Sequence, residues 1–88
     1  MTENKYRVIF TKSAERELKK LTNQVIVRLI PVIKNLSDNP RPSGCIKLEG
    51  SSNRYRVRVG DYRILYEIED KIKIVEIVGI RNRREAYE

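Results

Sequence analysis

The sequence has 88 residues, a hydrophobic fraction of 40%, a charged fraction of 35%, a net charge of +7 and no histidine. This length supports one hydrophobic core, so we expect one domain over residues 1–88, and the composition excludes a disordered chain. No stretch is long and apolar enough to span a bilayer. A single cysteine, Cys45, excludes an internal disulfide, and the polar first residues do not resemble a signal peptide, so we expect a cytoplasmic protein.

The positive charge favours an anionic partner, which could be nucleic acid, an acidic protein or a membrane surface. The net charge alone does not discriminate among these three kinds of partner. The type of basic residue is more informative, because seven of the nine basic residues after Asn53 are arginine. The placement of these arginines therefore carries the functional interpretation.

The first part of the chain predicts a strand followed by a helical hairpin. Residues 6–11 alternate weakly and predict the strand, and Thr11 or Ser13 can cap the helix that follows. The apolar stripe of this helix is formed by Ala14, Leu18 and Leu21. Thr22 and Asn23 interrupt the pattern and can begin a second helix.

The second helix has more apolar residues than one face can hold. Its predicted inner stripe consists of Val25, Leu29, Val32 or Ile33, and Leu36, and it is widened by Ile26, Val27 and Ile30. Pro31 lies inside the pattern and predicts a kink, because proline removes a backbone donor. The excess apolar surface is explained by packing between the first helix and the sheet, or by a partner protein.

Residues 38–44 have the composition of a loop. Residues 45–50 are short and semi-extended, and we expect Ile46 and Leu48 to tuck under the sheet. Cys45 has no histidine to activate it, so we interpret it as a buried filler and not as a nucleophile.

Residues 54–68 predict a β-hairpin. Strict alternation lies on both sides of Gly60-Asp61, and glycine at the first turn position suits a type II′ turn. A two-residue loop sets the register, with Val59 opposite Tyr62 and Arg58 opposite Arg63. One face then holds the core side chains Tyr55, Val57, Val59, Tyr62, Ile64 and Tyr66, and the other holds Arg54, Arg56, Arg58 and Arg63.

Like charges directly opposite each other weaken a sheet by about 0.2–1 kcal/mol per pair. A chain that places Arg58 opposite Arg63 is expected to gain something from the arrangement, and binding a polyanion is the simplest gain. Arginine matches phosphate geometry and keeps its charge near neutral pH. The alternative is a solvated outer strand face, which is common in antiparallel sheets.

After a second turn at residues 69–71, residues 72–78 are nearly continuous β-branched residues and predict a central strand that Gly79 ends. A two-residue turn would place Glu76 opposite Arg63, but a change of one residue in loop length would undo this register. The predicted fold class is therefore α+β: a strand, a two-helix hairpin, then an antiparallel β-meander, with the helices packed on one face of the sheet.

The end of the chain is basic and contains an aromatic residue. If it folds back over the basic face, Arg81 joins Arg56, Arg58 and Arg63, and Tyr87 offers a stacking surface for a base. A frayed basic terminus is the alternative. A metal site is not expected, since there is no histidine, one cysteine and no carboxylate spacing typical of a calcium or magnesium loop, and no cofactor is predicted.

These features resemble the RelE branch of the RelE/ParE toxin superfamily over almost the whole chain. The resemblance is carried by the helical hairpin and by residues 39–41, 48–50, 55–58, 60–66 and 78–87. The segment Gly-x-Tyr-Arg-x-x-Tyr at residues 60–66 marks the superfamily. The final Arg-x-Arg-x-x-x-Tyr, from Arg81 to Tyr87, is typical of the RNA-cleaving branch and not of the gyrase-poisoning one.

The resemblance implies a metal-independent mRNA interferase that enters the ribosomal A site, cuts the codon there and is neutralised by a RelB-like antitoxin. In this reading the ribosome and mRNA are the targets, with no membrane and no small-molecule cofactor. The matching catalytic positions are Arg56, Arg58, Arg63, Arg81 and Tyr87. Further RNA contacts are expected from Arg54, Arg83 and Arg84.

The implied reaction is attack of a ribose 2′-hydroxyl on the adjacent phosphate. We assign Arg56 and Arg63 to clamping the phosphate, Arg58 to backbone positioning or transition-state charge, and Arg81 to the leaving-group side, with Tyr87 stacking on a base. Arginine cannot serve as a proton acceptor near neutral pH, and relatives often carry lysine where this chain has Arg56 and Arg58. The candidates for the acceptor are Glu67, Glu85, Tyr87 or a ribosomal group.

Two alternatives remain open at this point. The first is a ParE-like protein that inhibits DNA gyrase without enzymatic activity. The second is a catalytically silent basic module that binds RNA or an acidic antitoxin. Convergence of Arg81 and Tyr87 with Arg63 on one face would favour the RNA-cleaving function.

Overall fold

A computed structural model describes residues 5–82 of the chain. The elements in chain order are β1 (Arg7–Phe10), α1 (Lys12–Lys19), α2 (Asn23–Asp38), β2 (Ile46–Lys47), β3 (Arg54–Val59), β4 (Tyr62–Glu69) and β5 (Ile74–Asn82). The five strands form one sheet in the order β1-β5-β4-β3-β2. β1 runs parallel to β5, and the other neighbours are antiparallel.

Each helix begins at a threonine cap, as its sequence predicts. The Thr11 hydroxyl oxygen accepts a hydrogen bond from the Ala14 amide at 3.0 Å, and Thr22 accepts one from Val25 at 3.4 Å. These bonds satisfy backbone donors that have no partner inside the helix. The two helices are thus separate elements that turn sharply between Lys20 and Thr22.

The helices pack on one face of the sheet, which confirms the α+β prediction. The core between them consists of Ala14, Leu29, Ile33, Leu36, Tyr55, Val57, Ile64, Tyr66, Ile68, Val75, Ile77 and Ile80. This inner face is covered, and the opposite face of the sheet, here called the outer face, carries the alternate residues of each strand. None of the helices in residues 5–82 is long and apolar enough to cross a membrane.

α2 continues through Pro31 as one helix. Leu29, Ile33 and Leu36 are its buried stripe, in agreement with the sequence pattern. Val27 lies on the far side of the helix and is 69% exposed, so neither α1 nor the sheet covers it.

The β3–β4 hairpin has the predicted register. Val59 pairs with Tyr62, Arg58 with Arg63 and Tyr55 with Tyr66. Gly60 has a φ of +60°, whereas Asp61 is not among the residues with positive φ, which is the pattern of a type II′ turn. A turn of two residues leaves no freedom in the pairing, which is why the sequence predicted it correctly.

The prediction that Ile46 tucks under the sheet is wrong. Residues 46 and 47 form the short edge strand β2, with Ile46 opposite Arg56 and Lys47 opposite Tyr55. Since opposite residues share a face, Ile46 lies on the outer face beside Arg56 and is 49% exposed. Leu48 is half-buried, and the Cys45 side chain packs against the core, close to the predicted filler role.

The prediction that Gly79 ends the last strand is also wrong. β5 begins at Ile74, after a turn that includes Lys73 at a φ of +57°, and it continues through Gly79 to Asn82. The longer turn places Glu76 opposite Glu67, so the pairing with Arg63 that a two-residue turn would produce does not occur.

The loop after α2 is held to the sheet by tyrosines and one ion pair. The buried Tyr66 hydroxyl donates to the Pro40 carbonyl at 2.8 Å, and burial raises the pKa of Tyr66. Arg41 donates from Nη2 to Asp70 Oδ2 at 2.9 Å and from Nε to the Tyr55 hydroxyl at 3.2 Å. The Tyr6 hydroxyl donates to the same carboxylate at 2.6 Å. Three segments distant in sequence, those of Tyr6, Arg41 and Asp70, therefore meet at the Asp70 carboxylate.

Hydrogen bonds from Arg41 and then Tyr6 lower the pKa of the Asp70 carboxyl from 3.8 to about 2. A depressed carboxyl pKa stabilises the fold above the unfolded value, and this stabilisation is lost as pH falls toward the folded value. We expect Asp70→Asn to be less stable than the wild type at pH 7, with a difference that shrinks between about pH 4 and pH 2. Urea unfolding across this range measures it.

The matched control is Asp61→Asn, because Asp61 makes no ion pair within residues 5–82. Its stability difference from the wild type should not change over the same pH window. A difference for Asp70→Asn that is equal at pH 7 and pH 2 would contradict the role of the ion pair.

Candidate nucleic-acid interface

Three arginines lie side by side across the three longest strands of the outer face. Arg58 on β3 is opposite Arg63 on β4, and Arg63 is opposite Arg81 on β5. We call these three residues the arginine row. Neighbouring strands are about 4.8 Å apart, so the Cα atoms of the row span about 10 Å. Long guanidinium side chains over this distance can reach one phosphate group.

The row depends on an irregularity in the pairing of β4 with β5. Leu65 pairs with Gly79, but Tyr66 pairs with Ile77, so Val78 is an extra residue on β5. Such a bulge reverses the faces of all residues beyond it. Without it Arg81 would point to the face of the helices. With it Arg81 lies on the outer face and Ile80 is buried at 5% exposure.

Arg56 adjoins the row on the same face of β3. It pairs with Leu65, two positions along the strand from the Arg58–Arg63 pair. Within residues 5–82 neither Arg56 nor Arg58 makes an ion pair. Four guanidinium groups therefore share one end of an uncovered sheet face, and two of them have no compensating carboxylate in that part of the chain.

A cleft of about 410 Å³ opens beside this cluster. It is lined by Ser43, Gly44, Ile46, Arg56, Val57 and Arg58. Cationic groups on one wall and the exposed Ile46 on another are complementary to a ligand that has both anionic and apolar parts, as a nucleotide has. The exposed position of Ile46, which the sequence did not predict, therefore places an apolar side chain at the site.

The Arg81 guanidinium forms an ion pair with the Glu17 carboxylate of α1. Its Nη1 atom donates to both Glu17 oxygens at 2.7 Å, and Glu17 Oε1 also accepts the Ile80 amide at 2.9 Å. The side chains of Arg81 and Glu17 are 39% and 32% exposed, so solvent screens the pair only in part. Glu17 lies outside the apolar stripe of α1, and the sequence did not predict this contact.

Gly79 provides the space for the Arg81 guanidinium. A Cβ atom at Gly79 would lie 2.8 Å from Nη1 and 3.2 Å from Cζ of Arg81. The guanidinium therefore rests on the backbone of β5, two residues before its own Cα. Glycine at this position is explained by the arginine, and not by the end of a strand.

Arg54 lies apart from the arginine row. It donates from Nε to Glu67 at 3.1 Å, at the opposite end of the outer face, where Glu67 is also opposite Glu76. The outer face is thus basic near the Gly60 turn and largely acidic at the other end. This placement makes Arg54 a weaker candidate for an RNA contact than Arg56 or Arg58.

Four other predicted residues, namely Arg83, Arg84, Glu85 and Tyr87, lie outside the described residues. The structure adds one cation that the sequence analysis did not single out: the Arg28 guanidinium of α2 lies against Gly60 at the hairpin turn. No sequence signal marks it, because the contact depends on how α2 crosses the sheet. Residues 5–82 contain no group of three or more side chains suited to bind a metal ion.

Comparison with known proteins identifies relatives over nearly the whole chain. A family model described as the ParE toxin of the type II toxin–antitoxin system parDE matches residues 8–87. Toxin RelE of Mycobacterium tuberculosis is 30% identical over 86 residues, which are 97% of this chain and 89% of that toxin. Putative toxin RelE1 of Methanocaldococcus jannaschii is 31% identical over 86 residues, with coverages of 94% and 96%.

Solved structures agree in fold. The archaeal RelE–RelB complex from Pyrococcus horikoshii matches with a TM-score of 0.79 at 33% identity, covering 94% of this chain and 97% of that one. The RelBE2 toxin–antitoxin complex of Mycobacterium tuberculosis matches with a TM-score of 0.79 at 30% identity, with coverages of 90% and 92%.

The contact between Gly79 and Arg81 is testable by Gly79→Ala. We expect the Arg81 Nε–H resonance to shift, because the new methyl displaces the guanidinium. Losing a half-exposed ion pair costs about 0.2–1 kcal/mol, and replacing a strand glycine by alanine recovers about 0.5–1 kcal/mol, so the unfolding free energy should change by less than about 1 kcal/mol. ¹H–¹⁵N spectra and urea unfolding measure the two effects.

The control is the same substitution in an Arg81→Ala background, where no guanidinium remains to be displaced. There Gly79→Ala should stabilise the protein. An unshifted Arg81 resonance in the single variant would show that the guanidinium does not rest on Gly79.

Proposed function

This chain belongs to the ParE toxin family of type II toxin–antitoxin systems, and within that family we propose that it is a ribosome-dependent endoribonuclease of the RelE type. Its substrate is the mRNA codon in the ribosomal A site, and its effect is inhibition of translation. The observation that carries this proposal is the arginine row with Arg56 beside it. Relatives at about 30% identity are named as RelE toxins, and they support assignment to the RelE branch of the superfamily.

The proposed reaction needs fixed positive charge more than it needs reactive groups. When a 2′-hydroxyl attacks the neighbouring phosphate, negative charge grows on the phosphoryl oxygens. Guanidinium groups that are already oriented stabilise this charge without reorganisation during the reaction. In the proposed assignment Arg56 and Arg63 clamp the phosphate, Arg58 faces the developing charge, and Arg81 lies on the leaving-group side.

Strand geometry supports this division of roles. Arg63 is the centre of the row, with Arg58 and Arg81 on the two neighbouring strands. A phosphate above Arg63 would therefore meet guanidinium groups from both sides. Rigid strands hold these positions better than loops do, and small displacements of catalytic groups are costly.

The proton acceptor does not come from Glu67. This residue is four positions from Arg63 along β4, or about 13 Å at strand spacing, and its carboxylate is bonded to Arg54. Arginine cannot accept a proton near neutral pH. We propose that the ribosome or a tail residue, Glu85 or Tyr87, completes proton transfer, and that this chain mainly supplies alignment and charge.

We further propose a cognate RelB-like antitoxin as the partner that neutralises the toxin. Solved relatives with TM-scores of 0.79 are complexes of RelE with RelB. A net charge of +7 and an arginine-rich uncovered face fit a partner that supplies carboxylates.

Arg63→Ala removes the centre of the row without touching the core. We expect the rate constant for cleavage of ribosome-bound mRNA to fall about 10²- to 10³-fold, as when one preorganised donor is removed. Growth arrest on expression should be lost with it. Primer extension on programmed ribosomes measures the cleavage.

The matched control is Arg54→Ala, which removes the same charge from the same face at its acidic end. We expect a change of no more than about fivefold there, since an exposed ion pair contributes little. Equal losses in both variants would show that the row is not the site. Growth arrest with DNA damage and intact translation would instead support gyrase inhibition.

The proposal that the ribosome contributes to proton transfer leads to a second expectation. Purified wild-type protein should cleave mRNA on the ribosome at least about 10²-fold faster than free RNA, because general acid–base catalysis typically contributes 10²–10⁴-fold. Equal protein concentrations with and without ribosomes provide the comparison. Comparable cleavage of naked RNA would contradict a ribosomal contribution.

A further inference from the structure

We infer that Glu17 is a positioning residue for Arg81, an inference that rests on the proposed function. Glu17 sits on α1, outside the arginine row, and its carboxylate is the partner that fixes the Arg81 guanidinium. Within residues 5–82 its carboxylate accepts hydrogen bonds from Arg81 and from the Ile80 amide. Its role is to orient the charge that Arg81 presents to the RNA.

The carboxylate is itself held in place. β1 ends at Phe10, which pairs with Ile77, so within residues 5–82 the edge of β5 beyond that point has no neighbouring strand. Glu17 Oε1 accepts the Ile80 amide there at 2.9 Å, in place of a strand partner. A backbone bond of this kind fixes the carboxylate before any ligand arrives.

Residues 5–82 engage one side of the Arg81 guanidinium. Every Arg81 side-chain hydrogen bond within them starts from Nη1, with Glu17 and the Ile80 carbonyl as acceptors. Nε and Nη2 therefore have no acceptor in this part of the chain, and they form a pair of parallel donors. A bidentate contact with phosphate needs two such N–H groups from one planar fork.

The same ion pair lowers the net charge that Arg81 offers. Glu17 therefore has two opposed effects: it weakens attraction to the RNA backbone, and it holds the guanidinium in a single orientation. A contact that only stabilised the fold would also offset this charge, but its loss would leave the kcat of the folded protein unchanged. Removing the charge of Glu17 should accordingly improve RNA binding while impairing cleavage.

The experiment uses the full chain and Glu17→Gln, whose amide oxygen can still accept from the Ile80 amide. The binding probe is a single-stranded RNA with every 2′-hydroxyl methylated, which cannot be cleaved. We expect affinity to rise about twofold to fivefold, in line with the loss of one half-exposed ion pair. The slope of log K against log salt should steepen by about 0.7, the value for one more phosphate contact on a single strand.

Cleavage of ribosome-bound mRNA should fall about tenfold in kcat, because a guanidinium that is no longer anchored is displaced from its productive position. Glu15→Gln is the control, since it removes the same charge from α1 and makes no ion pair within residues 5–82. It should leave both the salt slope and kcat unchanged. In an Arg81→Ala background, Glu17→Gln should no longer alter the slope.

An unchanged slope, or losses of binding, cleavage and thermal stability together, would overturn the inference in favour of a structural contact. An unchanged kcat would also overturn it. If the wild type does not cleave on ribosomes, the proposed function fails separately. The salt dependence of RNA binding then still shows whether Glu17 reduces the positive charge that Arg81 presents to RNA.

Discussion

A single extra residue in β5 determines what the outer face of this protein presents. The bulge at Val78 reverses the alternation of the strand, so that Ile80 enters the core and Arg81 joins Arg63. Regular pairing would direct a guanidinium toward the helices, where burying an unpaired charge is costly. The other parts of the site follow from this shift, including the glycine beneath Arg81 and the carboxylate beside it.

The two ends of the outer face of the sheet differ in charge. Near the Gly60 turn the outer face carries Arg56 and the arginine row, and at the other end Arg54 is bonded to Glu67. Repulsion within the row is a cost to folding that the core must offset. Among the residues that the structure describes, the helices cover only the inner face, so the fold provides both a rigid support and a cationic outer face.

Catalysis by alignment fits the composition of the chain. The chain has no histidine, and the basic groups of β3, Arg54, Arg56 and Arg58, cannot accept a proton near neutral pH. Under the proposed function, the target would complete proton transfer. The orientation of each guanidinium would then be more important than its presence.

Local patterns in the chain were sufficient for the two helices, for the strands of the β3–β4 hairpin and for their register, because a two-residue turn admits one pairing. They also placed Arg58 opposite Arg63. They could not place Arg81, Gly79 or Ile46, since a bulge, a four-residue turn and a two-residue edge strand leave no periodic signal. Glu17 was out of reach for a related reason: its contact with Arg81 joins residues 64 positions apart, and such a pairing exists only after α1 has packed beside β5.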